Sequence, residues 1–187
     1  MPVYGVKNLN DRLLKLRSDL YTKLPKRIGQ DAENHFRDSF KKGGFTDHAL
    51  VKWKPRAKPP RTKSGKEKPH TLLYNHRLLR NSVRLVRYTW NDIQVVAGGP
   101  HVPYAKIHNE GGTINKTVSV RAFDRRAHMR KTKRGKRVRV GEAQVGAFTR
   151  HMNTTIPRRQ FMGDSFALRQ TMRQTIIRTI AEAMNNR

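Results

Sequence analysis

The chain has 187 residues, enough for one domain or one domain with an extension. It carries 41 Lys and Arg against 13 Asp and Glu, a formal charge of +28, where a magnitude of about 2–8 suffices to keep a small domain soluble. The absence of cysteine excludes disulfides, thiolate metal sites and cysteine nucleophiles, and no apolar stretch approaches the ~20 residues of a membrane span.

Leu9, Leu13, Leu16, Leu20 and Leu24 recur at helical spacing, and Ile28, Ala32, Phe36 and Phe40 continue at steps of four. This spacing predicts helix over residues 8–42, with a break near Pro25, covering a sheet with its apolar face. Gly43-Gly44 ends it. Residues 45–71 hold Pro55, Pro59, Pro60, Pro69 and Gly65, and eight Lys or Arg between Lys52 and Lys68. They read as a long, exposed basic loop, pinned to the body by Trp53, its one sizeable apolar group.

Leu72, Leu73, Leu78 and Leu79 read as a short helix or turn leading into a strand. Ser82 to Tyr88 and Asp92 to Ala97 alternate apolar and polar residues around Trp90-Asn91-Asp92, the pattern of an antiparallel hairpin. Tyr104 to Glu110 reads as a helical turn stopped by Gly111-Gly112. Thr113 to Val120 is rich in β-branched residues and is expected to be extended.

Arg121 to Arg139 holds ten Lys or Arg and one acid, Asp124. Two alternatives fit: a hairpin arm with Gly135 at its tip, or disorder. Val145, Ala147 and Phe148 are expected to return to the body as a strand. Ile156 to Gly163 is expected to be extended and to feed a last helix, capped by Asp164 or Ser165. Its apolar stripe is Phe166, Leu168, Met172, Ile176, Ile177, Ile180 and Met184, with Arg169, Arg173 and Arg178 toward solvent. The order of elements predicts an α+β fold, with N- and C-terminal helices packed on a small antiparallel β-sheet and a long basic loop and arm. The expectation is one domain spanning 1–187, with the basic loop 45–71 and an inserted basic arm 121–147.

The chemistry of a catalyst is missing. His108-Asn109-Glu110 is an H-x-E, but the zinc deaminase pattern needs a P-C-x-x-C for its other ligands. The pair is read instead as structural, its polar atoms satisfying local backbone groups. Gly98-Gly99 and Gly111-Gly112 form neither a P-loop nor a dinucleotide fingerprint. No catalytic residue, metal ligand or cofactor site is assigned. The densest cations, Arg125, Arg126, Arg130, Lys131, Lys133, Arg134, Lys136, Arg137 and Arg139, are assigned to an anionic partner, either DNA or an acidic protein ring. Phe123 alone lies near them, which argues against a base-stacking platform.

Several short segments, in this order, resemble the phage virion morphogenesis family, which includes the tail completion proteins of Mu-type phages. They are Trp53-Lys54-Pro55-Arg56, Leu72-Leu73, Leu78 to Val83, Tyr104-Ala105-Lys106-Ile107-His108-Asn109-Glu110-Gly111-Gly112, Phe148 to His151 and Ile156-Pro157-Arg158-Arg159-Gln160-Phe161-Met162-Gly163. Trp53, Tyr104, His108, Gly111, Gly112, Pro157, Arg158 and Phe161 are the motif positions given structural roles. Members usually show a tG-x-L pattern where this chain has Asn75-His76-Arg77-Leu78, and a small residue between the positions of Arg158 and Arg159.

The resemblance implies a non-enzymatic α+β virion protein in the neck of a tailed phage, completing the tail or joining it to the head. It also implies a six- or twelve-fold homo-oligomeric ring around the DNA passage. The implied partners are the portal or connector, the tail terminator or tail tube proteins, and packaged DNA; no membrane is involved. The implied location is the virion, after assembly in the host cytoplasm; Met1 to Asn10 lacks the apolar run of a secretory signal. The competing reading is a stand-alone basic nucleic-acid-binding protein. It explains the charge and leaves the motif segments unexplained.

Overall fold

The computed structural model describes residues 4–56, 72–73 and 76–185. These fall into two compact units, a body (up to Gly111 and from Pro157 on) and a ribbon, Gly112–Ile156. In chain order the body holds helix α1 (Tyr4–Lys42), strands β1 (Gly44–Thr46) and β2 (Leu50–Lys52), helix α2 (Leu78–Asn81), strands β3 (Arg84–Tyr88) and β4 (Ile93–Val96) and helix α3 (Ala105–Glu110). The ribbon contributes six further strands, and helix α4 (Phe166–Asn185) ends the described body. The fold is α+β. Among the described residues its strands pair two by two, β1 with β2 and β3 with β4 in the body, all antiparallel.

α1 departs from expectation at Pro25, which lies inside an unbroken helix. A proline removes one N–H and clashes with the carbonyl four residues back, here that of Tyr21, in a turn open to solvent. Pro25 itself is fully buried, and the Lys23–Asp19 ion pair (2.7 Å) braces the preceding turn.

The later half of α1 packs on the strands, and Tyr21 before it stacks on Trp90 of the β3–β4 turn (4.5 Å). Glu33 Oε2 accepts from Leu85 N (2.8 Å), Arg37 Nε donates to Val83 O (3.1 Å), and the Arg37–Glu33 pair (2.6 Å) holds both side chains. Leu9 and Leu13 in the earlier half stay more than half exposed.

The core is built on that later half. Ala32, Phe36 and Phe40 meet Phe45, Trp53, Leu79, Val83, Val102, Ala105, Phe161 and Leu168. Ser82 closes the β3–β4 hairpin at its open end: its hydroxyl donates to Leu79 O (2.7 Å) and accepts from Gly98 N (3.0 Å). Ser165 is the N-cap of α4, accepting from Leu168 N (3.1 Å) and donating to Thr46 O (2.8 Å). Asp47, from the β1–β2 turn, caps the same helix from outside, its carboxylate taking Phe166 N (2.7 Å) and its carbonyl Ala167 N (3.1 Å).

α4 turns only part of its apolar stripe inward. Leu168 is in the core and Met172 packs against it, beside the buried Thr175 and Thr179, whereas Ile176 and Ile177 are exposed. The seam with α1 is polar. Thr175 Oγ1 donates to Asp31 (2.5 Å), and Arg27 bonds both Thr179 Oγ1 (3.0 Å) and Glu182 (2.6 Å). These contacts run in opposite chain directions, so the helices pack antiparallel.

The loop expected over 45–71 is shorter at its start, because residues up to Lys52 form the β1–β2 hairpin. The remainder of that expectation, residues 57–71, lies outside the described residues.

Candidate functional site

Two motif segments, far apart in sequence, meet in the body. α3 ends at Gly111, whose φ of 78° and ψ of 174° belong almost only to glycine. A Cβ there would lie 2.8 Å from Arg158 N. The chain leaving α3 is thus laid directly against the chain returning at Arg158. His108 O accepts from Arg159 N (2.8 Å). The Asn109 side-chain oxygen accepts from both Phe161 N (2.9 Å) and Met162 N (3.0 Å).

From the other side, Trp53 Nε1 donates to Gln160 O (2.6 Å), and Arg159 Nε donates to Lys54 O (3.2 Å). Phe40 packs against the rings of both Trp53 and Phe161. Residues 104–111 and 157–162, which flank the ribbon in sequence, are therefore fixed to each other. Gly111→Ala is expected to cost about 3 kcal/mol from backbone strain alone. That is a fall in melting temperature of about 6–12 °C by calorimetry for a chain of this size.

The motif positions have distinct parts in this clamp. Trp53 and Phe161 are buried and central. Tyr104 precedes α3 and stands edge-on to the His108 ring at 5.7 Å. Pro157 is half-buried. Arg158 is exposed, its guanidinium donating to Gln160 Oε1 (2.5 Å). Gly112 and Ile156 are paired as the first rung of the ribbon.

The expectation that the His108 and Glu110 side chains satisfy the local backbone is not met as stated. His108 meets the backbone through its carbonyl, while its ring Nδ1 is buried with no hydrogen-bond partner among the described residues, and Glu110 is exposed. Asn109 and Arg159 were quoted in the motif segments without a role, and Asp47 was not singled out. For Arg159 a signal existed: neighbours in extended chain point to opposite sides, so one of two adjacent arginines turns inward. Nothing local reveals which amides Asn109 meets.

Burial lowers the pKa of His108 below 6.5, and Arg159 lowers it further. Burial likewise lowers that of His35, and Lys42 adds to this; the hydrogen bond to Thr46 O and nearby Asp38 act in the raising direction. Both rings are thus harder to protonate folded than unfolded. Below the unfolded value of about 6.5 the unfolded chain binds more protons, so stability falls with acidification and is independent of these groups above it. Thermal melts should drop between pH 7.5 and 5.5. His108→Phe, which keeps a ring beside Tyr104 but cannot titrate, should flatten that slope.

The ribbon is one long hairpin. Strands β5 (Gly112–Val120), β6 (Phe123–Arg125) and β7 (His128–Lys131) go out, and β8 (Arg137–Val140), β9 (Ala143–Val145) and β10 (Phe148–Ile156) return. Gly112 faces Ile156, Phe123 faces Val145 and Lys131 faces Arg137. Each gap between ladders holds two residues on either strand, so the register never slips. Of the two alternatives for the basic stretch, the hairpin is the one found. Val145 and Phe148 pair with Phe123 and Val120, not with a strand of the body.

The tip is a three-residue loop, Lys133-Arg134-Gly135. Gly135 N donates to Thr132 O (2.9 Å), and Gly135 takes φ 80°, the left-handed position that closes such loops. From Gly112 to the tip, at about 3.3 Å per residue, the hairpin is roughly 70 Å long.

No residue of the ribbon is buried. Along β5 and β10 the two faces differ. One carries Ile114, Val118, Val120, Phe148 and Met152. The other carries Thr, Asn, Ser and His, with cross-strand bonds Thr117–His151 (2.8 Å) and Thr113–Thr155 (3.4 Å). Lys116 and Arg150, the only charges of β5 and β10, lie on the first face, opposite Met152 and Val118. Arg125, Arg126, Arg130, Lys131, Lys133, Arg134, Lys136, Arg137 and Arg139 lie in the outer part, all exposed. Lys131 and Arg137 are direct cross-strand neighbours, a like-charged pair that destabilises a bare hairpin.

Among the described residues no group of three or more His, Asp or Glu could hold a metal ion, and no helix is long and apolar enough to cross a membrane. In comparison with known proteins, the model of the phage virion morphogenesis family matches residues 4–181. No curated protein and no solved structure matches the chain.

Proposed function

The chain belongs to the phage virion morphogenesis family, and from that premise we propose that it is a tail completion or head-tail joining protein, acting as a homo-oligomeric ring in the phage neck around the DNA passage. The family points to a structural rather than a catalytic role. The observation that carries the reading is the ribbon Gly112–Ile156: two strands, exposed on both faces, with an apolar ridge at its base. A two-stranded hairpin is marginal in water unless its apolar face is covered, so this one is built to lie on a partner. If each copy lays its ribbon on the next, the contact is head-to-tail, and head-to-tail contacts close as rings when the rotation permits.

Self-repulsion at a charge of +28 points the same way, since binding to partners stabilises a folded chain by mass action. The ring orders carried by the resemblance, six and twelve, and the portal, connector, tail terminator and tube as neighbours belong to this proposal. So do residence in the virion and assembly in the host cytoplasm. The stand-alone nucleic-acid-binding reading is favoured by the charge alone and gives no role to the clamp.

The experiment is electron microscopy of lysates from a phage whose copy of this gene carries a nonsense mutation. Filled heads beside separate tails are expected. Joined, intact particles would overturn the proposal.

A further inference from the structure

We infer that the outer ribbon, residues 128–140, is a sequence-independent binding site for duplex nucleic acid, gripping phosphates from within a groove. This deepens the neck proposal by naming the partner of the ribbon's tip.

Three observations carry it. First, charge is segregated along the hairpin. The base strands hold only Lys116 and Arg150, whereas seven Lys or Arg lie between Arg130 and Arg139, and no carboxylate occurs between Asp124 and Glu142. Second, these cations are unneutralised. None forms an ion pair among the described residues, and Lys131 and Arg137 face each other across the ladder, a repulsion that an anion between them would convert to attraction. Third, the cations surround the tip. Lys131, Arg137 and Arg139 share one face, Arg130 projects from the other, and Lys133 and Arg134 stand at the turn. An acidic protein surface would be met by cations on one face. A ribbon seated between two phosphate backbones needs them on both, and the major groove, about 12 Å wide, admits a two-stranded ribbon.

The test uses the full-length protein and a mixed-sequence 30-base-pair duplex, with binding followed by fluorescence anisotropy across 50–200 mM KCl. Binding should be indifferent to sequence, with a slope of log K against log salt of about −5, as for six engaged phosphates. The triple variant Lys131→Gln/Arg137→Gln/Arg139→Gln should lose two to three orders of magnitude at 100 mM salt and make the slope shallower by about 3. Its melting temperature should be unchanged or higher. Arg12→Gln/Lys15→Gln/Lys26→Gln, which removes three exposed cations of α1, should weaken binding less than threefold.

Equal losses in the two variants would overturn the inference in favour of diffuse charge. Binding of polyglutamate as tight as that of the duplex would overturn it in favour of an acidic protein partner. Because no phage assembly enters the assay, a negative result leaves the joining role standing, and loss of joining in the nonsense phage says nothing about DNA.

Discussion

Trp53→Ala should lower the stability of the chain by about 4 kcal/mol, the usual cost of emptying a buried tryptophan site. For a protein of this size that is a fall of about 8–16 °C in melting temperature. Trp53 is 7% exposed and packs on Phe40, which is wholly buried and touches Phe161 in turn. The indole also satisfies Gln160 O at 2.6 Å, so its loss orphans a backbone carbonyl. Trp53→Phe separates the two contributions. It keeps most of the ring burial but not the hydrogen bond, and about 2 kcal/mol should be lost. The chain has two tryptophans, and Trp90 is about half exposed. The blue-shifted part of the fluorescence should therefore vanish with Trp53, while the Trp90 part remains.

The second large effect concerns the ribbon. Gly112 and Ile156 are cross-strand partners, so their Cα atoms lie about 5 Å apart. A two-residue Asn-Gly turn can join them in place of Thr113–Thr155. The shortened chain loses twelve Lys or Arg and two acids but none of the core residues. It should keep its helical circular dichroism and a cooperative melt within about 3 °C of the full chain, because every bond of the clamp lies in the body. A shortened chain that melts without cooperativity would mean that the ribbon is part of the folding unit.

How much of this was legible depended on where each residue's partner lay. The β3–β4 hairpin was readable because Val83, Leu85, Val95 and Ala97 alternate against a local core. The hairpin at Gly135 was readable as one of two alternatives, its turn residue standing in the middle of the basic stretch. The α4 stripe held at Leu168 and Met172 but misled further along, because apolar periodicity presumes an apolar neighbour. α1 instead offers Asp31 and Arg27, and Thr175 and Thr179 answer them, leaving Ile176 and Ile177 outside.

The same reasoning explains Leu9 and Leu13. Their spacing is that of a buried face, yet nothing among the described residues buries them. Pro25 signalled a break that buried packing overrides. The motif segments announced that residues 104–112 and 156–163 matter. That they matter by binding each other, through Asn109 and Arg159, is a long-range fact with no local signature. Arg77 adopts φ 57°, a left-handed conformation that costs an arginine about 1 kcal/mol.

In the proposed neck role, the body is a scaffold and the ribbon its working part in joining heads to tails. The most direct measurement is electron microscopy of lysates from the nonsense phage, supplied in trans with either the full-length gene or the ribbonless one. Joined particles are expected with the first and filled heads beside unattached tails with the second, although both proteins accumulate folded. Joined, infectious particles from the ribbonless gene would contradict the proposed role.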